Sequence, residues 1–230
     1  MSTLLKPSIL APADIAADRQ FALHPSRVGW GRFFKRLMDV AGALVGLLAL
    51  APLYLLVAVA IKVESRGPVL FRQVRVGMDG KTFTMLKFRS MVVDAEERLS
   101  EVWHLNEMTG GPIFKAKEDP RITRVGRFLR RTSLDEFPQF WNVLVADMSL
   151  VGPRPPLPAE VATYGPREME RLGVLPGATG LWQVSGRSSL KSFERMVDLD
   201  WEYMHAWSLR GDLDILWRTL GVVLRMAGSC

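Results

Sequence analysis

A chain of 230 residues is long enough for one domain of ordinary size, and 48% hydrophobic residues suffice for a buried core, which excludes a disordered protein. Thirty Lys and Arg against 24 Asp and Glu give a net charge of +6, which favours anionic partners such as phosphorylated ligands, lipid headgroups or nucleic acid. The single cysteine, Cys230, excludes a disulfide within the chain.

Residues 1–28 show no sustained hydrophobic period, and we expect a mobile arm that carries no chemistry. The hydrophobic segment that follows has 22 residues without a charge between Asp39 and Lys62, about the length of a helix that crosses a bilayer. Pro52 lies near its centre, where proline removes a backbone hydrogen bond and bends a helix. We therefore expect this segment to enter a membrane.

Basic residues flank both ends of the segment, and the positive-inside rule draws both ends towards the cytoplasm. They are Arg32, Lys35 and Arg36 before it, and Lys62, Arg66, Arg72 and Arg75 after it. A re-entrant helical hairpin over residues 33–64, broken at Pro52, satisfies both ends. A straight span would place only one of the two basic flanks on the cytoplasmic side, and a helix buried in the protein core would need no membrane. The sequence leaves both alternatives open.

Alternating residues in 68–77 and 81–88 predict a β-hairpin around the Asp-Gly turn at residues 78–80. Residues 94–108 have helical composition, and a short basic helix is predicted from residue 119 to 131. Apolar residues at helical spacing after residue 136 predict an amphipathic helix to Ala146, with Asp135 and Glu136 in its first turn. Two further helices are predicted at residues 193–203 and 212–226. The apolar face of the second suits either a membrane interface or the protein core.

Two adjacent carboxylates, Asp135 and Glu136, are the first candidates for chemistry. Ser133 and Glu136 fit a capping box, which is a purely structural role. The alternative is catalytic: a helix N-terminus and the basic residues just upstream, Arg130 among them, keep Asp135 ionised and attract phosphate. An ionised aspartate can attack phosphorus, and Glu136 could hold Mg²⁺. The pattern alone leaves both roles open.

Arginines and a lysine are the candidate phosphate ligands. Arg154 stands between prolines in residues 152–156, which fix its backbone, and Arg187 ends a glycine-containing loop at residues 175–187. Lys87 and Arg89, at the end of the predicted hairpin, face either the same anion or solvent. The three histidines are far apart and lack the spacing of metal ligands.

Several motifs in order resemble the bacterial sugar transferases, the monotopic polyprenyl-phosphate phosphoglycosyl transferases. They are residues 35–39, the hydrophobic segment with Pro52, and residues 87–91, 132–139, 142–144, 147–156 and 176–187. The resemblance covers residues 33–224 and indicates a small, compact member. It departs from the family pattern at Val145 and Ala146, where many relatives carry Lys-Gly, and we expect this to tune activity without abolishing it.

The resemblance implies an α+β fold, mostly helical. A re-entrant membrane hairpin, a small β-hairpin and amphipathic interfacial helices would surround a cytoplasmic catalytic domain at residues 65–230, on the bacterial inner membrane. It further implies that Asp135 attacks the sugar-side phosphorus of a UDP-sugar and releases UMP, and that a polyprenyl phosphate then takes the phosphosugar. Glu136 would bind Mg²⁺. Lys87, Arg130 and Arg154 would bind phosphate groups, and Arg187 the nucleotide or sugar end.

The implied partners are a UDP-sugar, polyprenyl (undecaprenyl) phosphate and membrane lipids, with no nucleic acid, and the oligomeric state stays open between monomer and homodimer. UDP-glucose or UDP-galactose is our expected donor, and exopolysaccharide or O-antigen assembly the expected setting. The alternative function is a membrane-anchored, non-enzymatic adaptor whose arginines bind anionic lipid headgroups. A related enzyme that uses another lipid or nucleotide is a second alternative.

Overall fold

The fold is mostly helical with two small sheets, in a computed structural model that describes residues 24–186 and 190–224. The helices are α1 (Gly29–Ala49), α2 (Ala51–Glu64), α3 (Leu99–Val102), α4 (Arg124–Thr132), α5 (Gln139–Leu144), α6 (Pro158–Val161), α7 (Pro166–Met169), α8 (Leu181–Val184), α9 (Phe193–His205) and α10 (Leu209–Leu224). The strands are β1 (Leu70–Val76), β2 (Thr82–Phe88), β3 (Ser149–Val151) and β4 (Gly177–Thr179). The prediction of a mostly helical fold is confirmed.

The hydrophobic segment forms two helices, α1 and α2, that meet at Leu50 and are bent by 60°. Pro52 occupies the first turn of α2, where the missing N–H costs no helical hydrogen bond, so the break falls two residues before the proline. In the described part of the chain no single helix has the length and apolar composition of a membrane span, whereas this bent pair together does.

Much of the apolar surface of α1 and α2 is exposed, which does not fit the alternative of a helix buried in the core. The exposed side chains include Leu44, Val45, Leu48, Leu55, Leu56, Val59 and Val63. The opposite side of α2 is buried, where Val57 and Ile61 pack against Phe88 and Leu129. The pair is thus attached to the domain along one side only.

The predicted β-hairpin is confirmed: β1 and β2 are antiparallel, with Leu70 opposite Phe88 and Val76 opposite Thr82. The main core lies between this hairpin, α1, α5, β3, α9 and α10. Its buried side chains include Ala43, Met85, Val143, Met148, Leu150, Tyr203, Met204 and Ile215. Residues 1–23 of the predicted arm lie outside the described residues, and His24 is buried, with its Nε2 donating to the Met204 carbonyl (2.7 Å).

Two helices predicted before the carboxylates are shorter in the structure. Residues 94–108 form turns, α3 and a 3₁₀ turn at Trp103–Leu105. The basic helix α4 begins at Arg124 and not near residue 119, because the Thr123 side chain caps it by accepting from the Gly126 N–H (2.9 Å).

The predicted helix at residues 193–203 is confirmed as α9. The last helix begins three residues early, at Leu209, and is described to Leu224.

The parallel pairing of β3 with β4 was not predicted, since the sequence suggested a loop at residues 175–187. Ser149 lies opposite Gly177, and Val151 opposite Thr179. A Cβ on Gly177 would lie 2.1 Å from the backbone nitrogen of Gly152, so the two segments approach too closely for any side chain there. This contact fixes the start of the segment that carries Arg154.

Candidate active site

The two carboxylates stand on a separate 3₁₀ turn, Leu134–Glu136, between α4 and α5. Ser133 has a left-handed backbone (φ 58°) and ends α4, with its N–H donating to the Arg130 carbonyl (3.2 Å). Its side chain makes no capping hydrogen bond to the turn. The capping-box interpretation is therefore wrong, and so is the placement of Asp135 and Glu136 in the first turn of the following α-helix, which begins at Gln139.

Asp135 and Glu136 line an open polar cavity of about 260 Å³. The cavity also has Lys87, Arg130 and Arg154 in its wall, so the structure brings together these five predicted residues. Asp135 is 7% exposed, and a carboxylate so buried needs nearby charge or hydrogen bonds to stay ionised. We call this the polar cavity.

Arg130 supplies charge next to Asp135. Burial lowers the pKa of its guanidinium, and the charges of Asp135 and Asp119 oppose that shift. Its Nε donates to the Ser90 hydroxyl (2.9 Å), which fixes the direction of the side chain. Ser90 is itself held against α4, where a Cβ on Gly126 would collide with the Ser90 carbonyl. Arg130 is thus oriented by the contact between the hairpin's end and α4.

Lys87 lies on β2 and pairs with Glu136, with Nζ and Oε1 3.2 Å apart. The strand is held by Asn142 of α5, whose side-chain oxygen accepts from the Leu86 N–H (3.0 Å) and whose amide donates to the Thr84 carbonyl (2.8 Å). A helix side chain thereby serves as a hydrogen-bonding partner for the strand. The bond to the Leu86 N–H fixes the strand one residue before Lys87.

Arg154, which lies between prolines, also has a charged partner. Its guanidinium makes a two-point contact with Glu160 of α6, at 3.0 and 3.3 Å. Arg75 lies close behind and is buried, and burial followed by the charge of Arg154 lowers its pKa to about 9. Arg89, the other candidate at the end of the hairpin, does not line this cavity and donates instead to the carbonyls of Ser65 and Arg66.

Besides Lys115, sequence reasoning missed two charged residues of the polar cavity, Asp119 and Arg121. They form a buried ion pair, with Oδ2 and Nη2 2.7 Å apart, and the Arg121 guanidinium lies 5.2 Å from the centre of the Phe114 ring. The Arg121 N–H also donates to Asp119 Oδ1 (3.0 Å). An Asp two residues before an Arg, with proline between, is a turn signal that indicates this local contact.

Arg187 lies outside the described residues, so its predicted role stays a prediction. For a metal, the described residues contain no group of three or more His, Cys, Asp or Glu side chains close enough to hold an ion. Mg²⁺, however, usually takes one or two protein carboxylates and completes its shell with substrate phosphates and water. Glu136, at an open cavity, fits that type of site.

The model of the family described as "Bacterial sugar transferase" matches residues 30–226. The chain belongs to this family. Among its relatives, the "UDP-galactose-lipid carrier transferase" of Erwinia amylovora is 45% identical over 218 residues, which are 94% of this chain and 44% of the relative. The "UDP-glucose:undecaprenyl-phosphate glucose-1-phosphate transferase" of Klebsiella pneumoniae is 40% identical over 200 residues, 84% of this chain and 40% of the relative.

The "Exopolysaccharide production protein ExoY" of Rhizobium meliloti is 39% identical over 202 residues, 86% of this chain and 89% of the relative. The chain therefore spans less than half the length of the first two relatives and most of the length of this one. All three alignments are long enough to cover most of this chain.

Proposed function

We propose that this sugar transferase moves a sugar-1-phosphate from a UDP-sugar to a polyprenyl phosphate and releases UMP, through a covalent intermediate on Asp135. The observation that carries the proposal is the buried Asp135 carboxylate in a cavity whose wall also holds Arg130, Arg154 and Lys87. A nucleophilic carboxylate surrounded by cations suits displacement at a phosphorus that bears negative oxygens. The names of these relatives support the substrate classes.

In the first step an Asp135 oxygen bonds to the sugar-side phosphorus, while the bond from that phosphorus to the bridging oxygen breaks and UMP leaves with the electron pair. In the second step a phosphate oxygen of the polyprenyl phosphate bonds to the same phosphorus, and the bond to Asp135 breaks. The carboxylate is regenerated, and the product is a polyprenyl-diphosphate sugar. Arg130 and Arg154 bind the negative oxygens throughout.

We propose Mg²⁺ as the cofactor, with Glu136 and the substrate phosphates as its ligands; when bound, the ion would neutralise charge on the diphosphate. The structure pairs Glu136 with Lys87. Glu136 would hold the ion in place of its lysine partner, and Lys87 would then be available to a phosphate oxygen.

We also propose that α1 and α2 form a re-entrant hairpin in the bacterial inner membrane, with the domain on the cytoplasmic face. The 60° bend and the apolar exposed side of the pair support this. The outer side of α10 adds further apolar surface, with Trp217 75% and Leu224 81% exposed. Tryptophan is enriched at membrane interfaces, so α10 suits the headgroup region.

The donor we propose is UDP-galactose or UDP-glucose, the two named for the relatives above. The test is UMP release from a panel of UDP-sugars by detergent-held protein with polyprenyl phosphate and Mg²⁺. We expect release by the wild type, none by Asp135→Asn, and normal release by the control Asp94→Asn, an exposed carboxylate outside both cavities. No release with any donor by folded protein would favour the lipid-binding adaptor.

The membrane topology of α1 and α2 can be tested in a Cys230→Ser variant, which has no other cysteine. A single cysteine is placed at Val28 or at Arg66, on either side of the helix pair, and labelled with a membrane-impermeant maleimide in vesicles of defined orientation. A re-entrant hairpin exposes both positions on the cytoplasmic side. Labelling from opposite sides would show a straight span.

A further inference from the structure

A second cavity, of about 1000 Å³, lies beside β1 and meets the polar cavity at the carboxylate turn. The two share Lys87, Met91, Arg121, Arg130 and Asp135 in their walls. Most of the remaining residues in the wall of the second cavity are apolar, among them Val69, Phe71, Val92, Val93 and Leu99, although Arg72, Arg75, Arg89 and Glu96 also line it. We call it the apolar cavity. Asp135 is therefore reached from two cavities of different chemistry.

The apolar cavity begins where the chain leaves the helix pair. Pro68 and Val69 line it, four and five residues after α2 ends at Glu64. Arg89 also lines it and donates to the carbonyls of Arg66 (2.6 Å) and Ser65 (3.0 Å), which fixes this connection against the cavity wall. This end of the cavity therefore lies next to the helix pair that we propose to lie in the membrane.

We infer that the apolar cavity holds the first isoprenoid units of the acceptor, and that the uridine and sugar of the donor lie in the polar cavity; this rests on the proposed function. A polyprenyl phosphate has an apolar chain with one charged end, and the cavity has an apolar wall with Arg130 and Lys87 at one end. The polar members of that wall, among them Gln73, Arg75 and Arg89, already hydrogen-bond within the protein, so a nucleotide sugar would bury hydroxyl and phosphate groups there with few partners, which is costly.

The two ligands still share one place for their phosphates. In-line displacement requires the acceptor oxygen to approach the phosphorus from the side that UMP has left, opposite Asp135. The phosphate of the acceptor therefore replaces that of UMP between the same cations, and the isoprenoid chain and the uridine extend in different directions. We therefore expect substitutions in the part of the apolar cavity away from Asp135 to affect only the second step, the transfer to the polyprenyl phosphate.

Val93 tests this because it lines the apolar cavity and is 67% exposed, so its substitution does not disturb the core. We expect Val93→Asp to raise the KM for undecaprenyl phosphate about tenfold, as expected for losing one apolar contact. Val93→Leu should keep the wild-type KM. The matched control is Val74→Asp, since Val74 is 52% exposed on β1 and does not line the cavity.

The first step is measured separately, as exchange of labelled UMP into UDP-sugar without any acceptor. We expect Val93→Asp to exchange at the wild-type rate, which also shows that the variant is folded. An unchanged acceptor KM, an equal change in Val74→Asp, or an exchange rate reduced as much as turnover would overturn the inference. Absence of exchange in the wild type would instead contradict the proposed function.

Discussion

Arg154 is held by Glu160 through two contacts, Nη1 to Oε2 at 3.0 Å and Nη2 to Oε1 at 3.3 Å. Glu160 is 3% exposed and also accepts from the Leu157 N–H (2.8 Å), so its carboxylate is fixed from two directions. The direction of the Arg154 guanidinium at the polar cavity is thus set by a residue six positions later, in addition to the flanking prolines.

The first prediction concerns this pair. Glu160→Gln should raise the KM for the UDP-sugar about tenfold, because the guanidinium loses its fixed direction. It should also lower stability by about 2 kcal/mol, because an ion pair that is buried only on the Glu160 side is broken. Steady-state kinetics and thermal unfolding measure the two effects. Glu168→Gln is the control, since Glu168 accepts a backbone N–H in the same way without an ion pair to Arg154. A normal KM in a destabilised Glu160→Gln protein would leave Glu160 with a structural role only.

The second prediction is the pH dependence of this pair. Burial acts to raise the pKa of Glu160, but the charge of Arg154 and the hydrogen bonds outweigh it and lower the pKa. A carboxyl with a lowered folded pKa contributes stability above its unfolded pKa of about 4.3 and loses it as pH falls through the folded value. The stability difference between wild type and Glu160→Gln should therefore be constant near neutral pH and shrink below about pH 4. A difference that does not depend on pH would contradict this.

The third prediction separates the two carboxylates. Asp135→Asn should abolish UMP–UDP-sugar exchange, whereas Glu136→Gln should retain exchange at high Mg²⁺ and need at least about tenfold more Mg²⁺ for half-maximal rate, because a ligand is lost. The measurement is the exchange rate against Mg²⁺ concentration. Glu97→Gln, an exposed carboxylate outside both cavities, is the control. An unchanged Mg²⁺ requirement in Glu136→Gln would remove Glu136 from the proposed metal site.

The sequence predicted the hairpin, the bent hydrophobic segment and five residues of one cavity, because these depend on local patterns such as alternation, a central proline and short motifs. The supports of those residues were not predictable in the same way. Glu160 behind Arg154, Asn142 beside Leu86 and Ser90 against Arg130 are contacts across 6, 56 and 40 positions, which only the packing of elements creates.

The 3₁₀ turn shows a different limit of sequence patterns. Ser133 and Glu136 have the spacing of a capping box, but the left-handed backbone at Ser133 ends α4 and leaves no room for a new α-helix to begin there. A pattern of four residues cannot reveal that its first residue already terminates the preceding helix. The position of Asp135 depends on this backbone conformation, since the 3₁₀ turn directs both carboxylates into the polar cavity.

The fourth prediction tests the support of β2. Asn142→Ala removes the acceptor of the Leu86 N–H and the donor to the Thr84 carbonyl, and should cost about 1–3 kcal/mol of stability because two part-buried hydrogen bonds are lost. Asn142→Asp keeps the acceptor but replaces the donor with a buried carboxylate oxygen that faces the Thr84 carbonyl and the Asp147 carboxylate, so its loss should be larger than that of Asn142→Ala. Thermal unfolding of the three proteins measures the order. Equal stability of Asn142→Ala and wild type would show that the strand needs no such partner.

The fifth prediction concerns the attachment of α1 to the domain. Lys35 Nζ lies 2.6 Å from Asp212 Oδ2 and also donates to the Val151 carbonyl (3.1 Å), while the Tyr203 hydroxyl donates to Asp212 Oδ1 (2.8 Å). Asp212 is fully buried. Burial, and then the charge of Asp212, raises the pKa of Tyr203 well above its usual value, so its proton stays available for this bond.

Lys35→Met should therefore cost about 3–5 kcal/mol, because it leaves the Asp212 charge buried without its cation. Most of that loss comes from the unpaired charge and not from the lost attraction, so the double variant Lys35→Met/Asp212→Asn should be more stable than Lys35→Met alone. Thermal unfolding of both variants in detergent compares them. A double variant as unstable as the single one would mean that the packing of the Lys35 side chain or its ion pair with the buried Asp39 (Nζ to Oδ1 3.7 Å), and not the charge of Asp212, holds α1 against β3, α9 and α10.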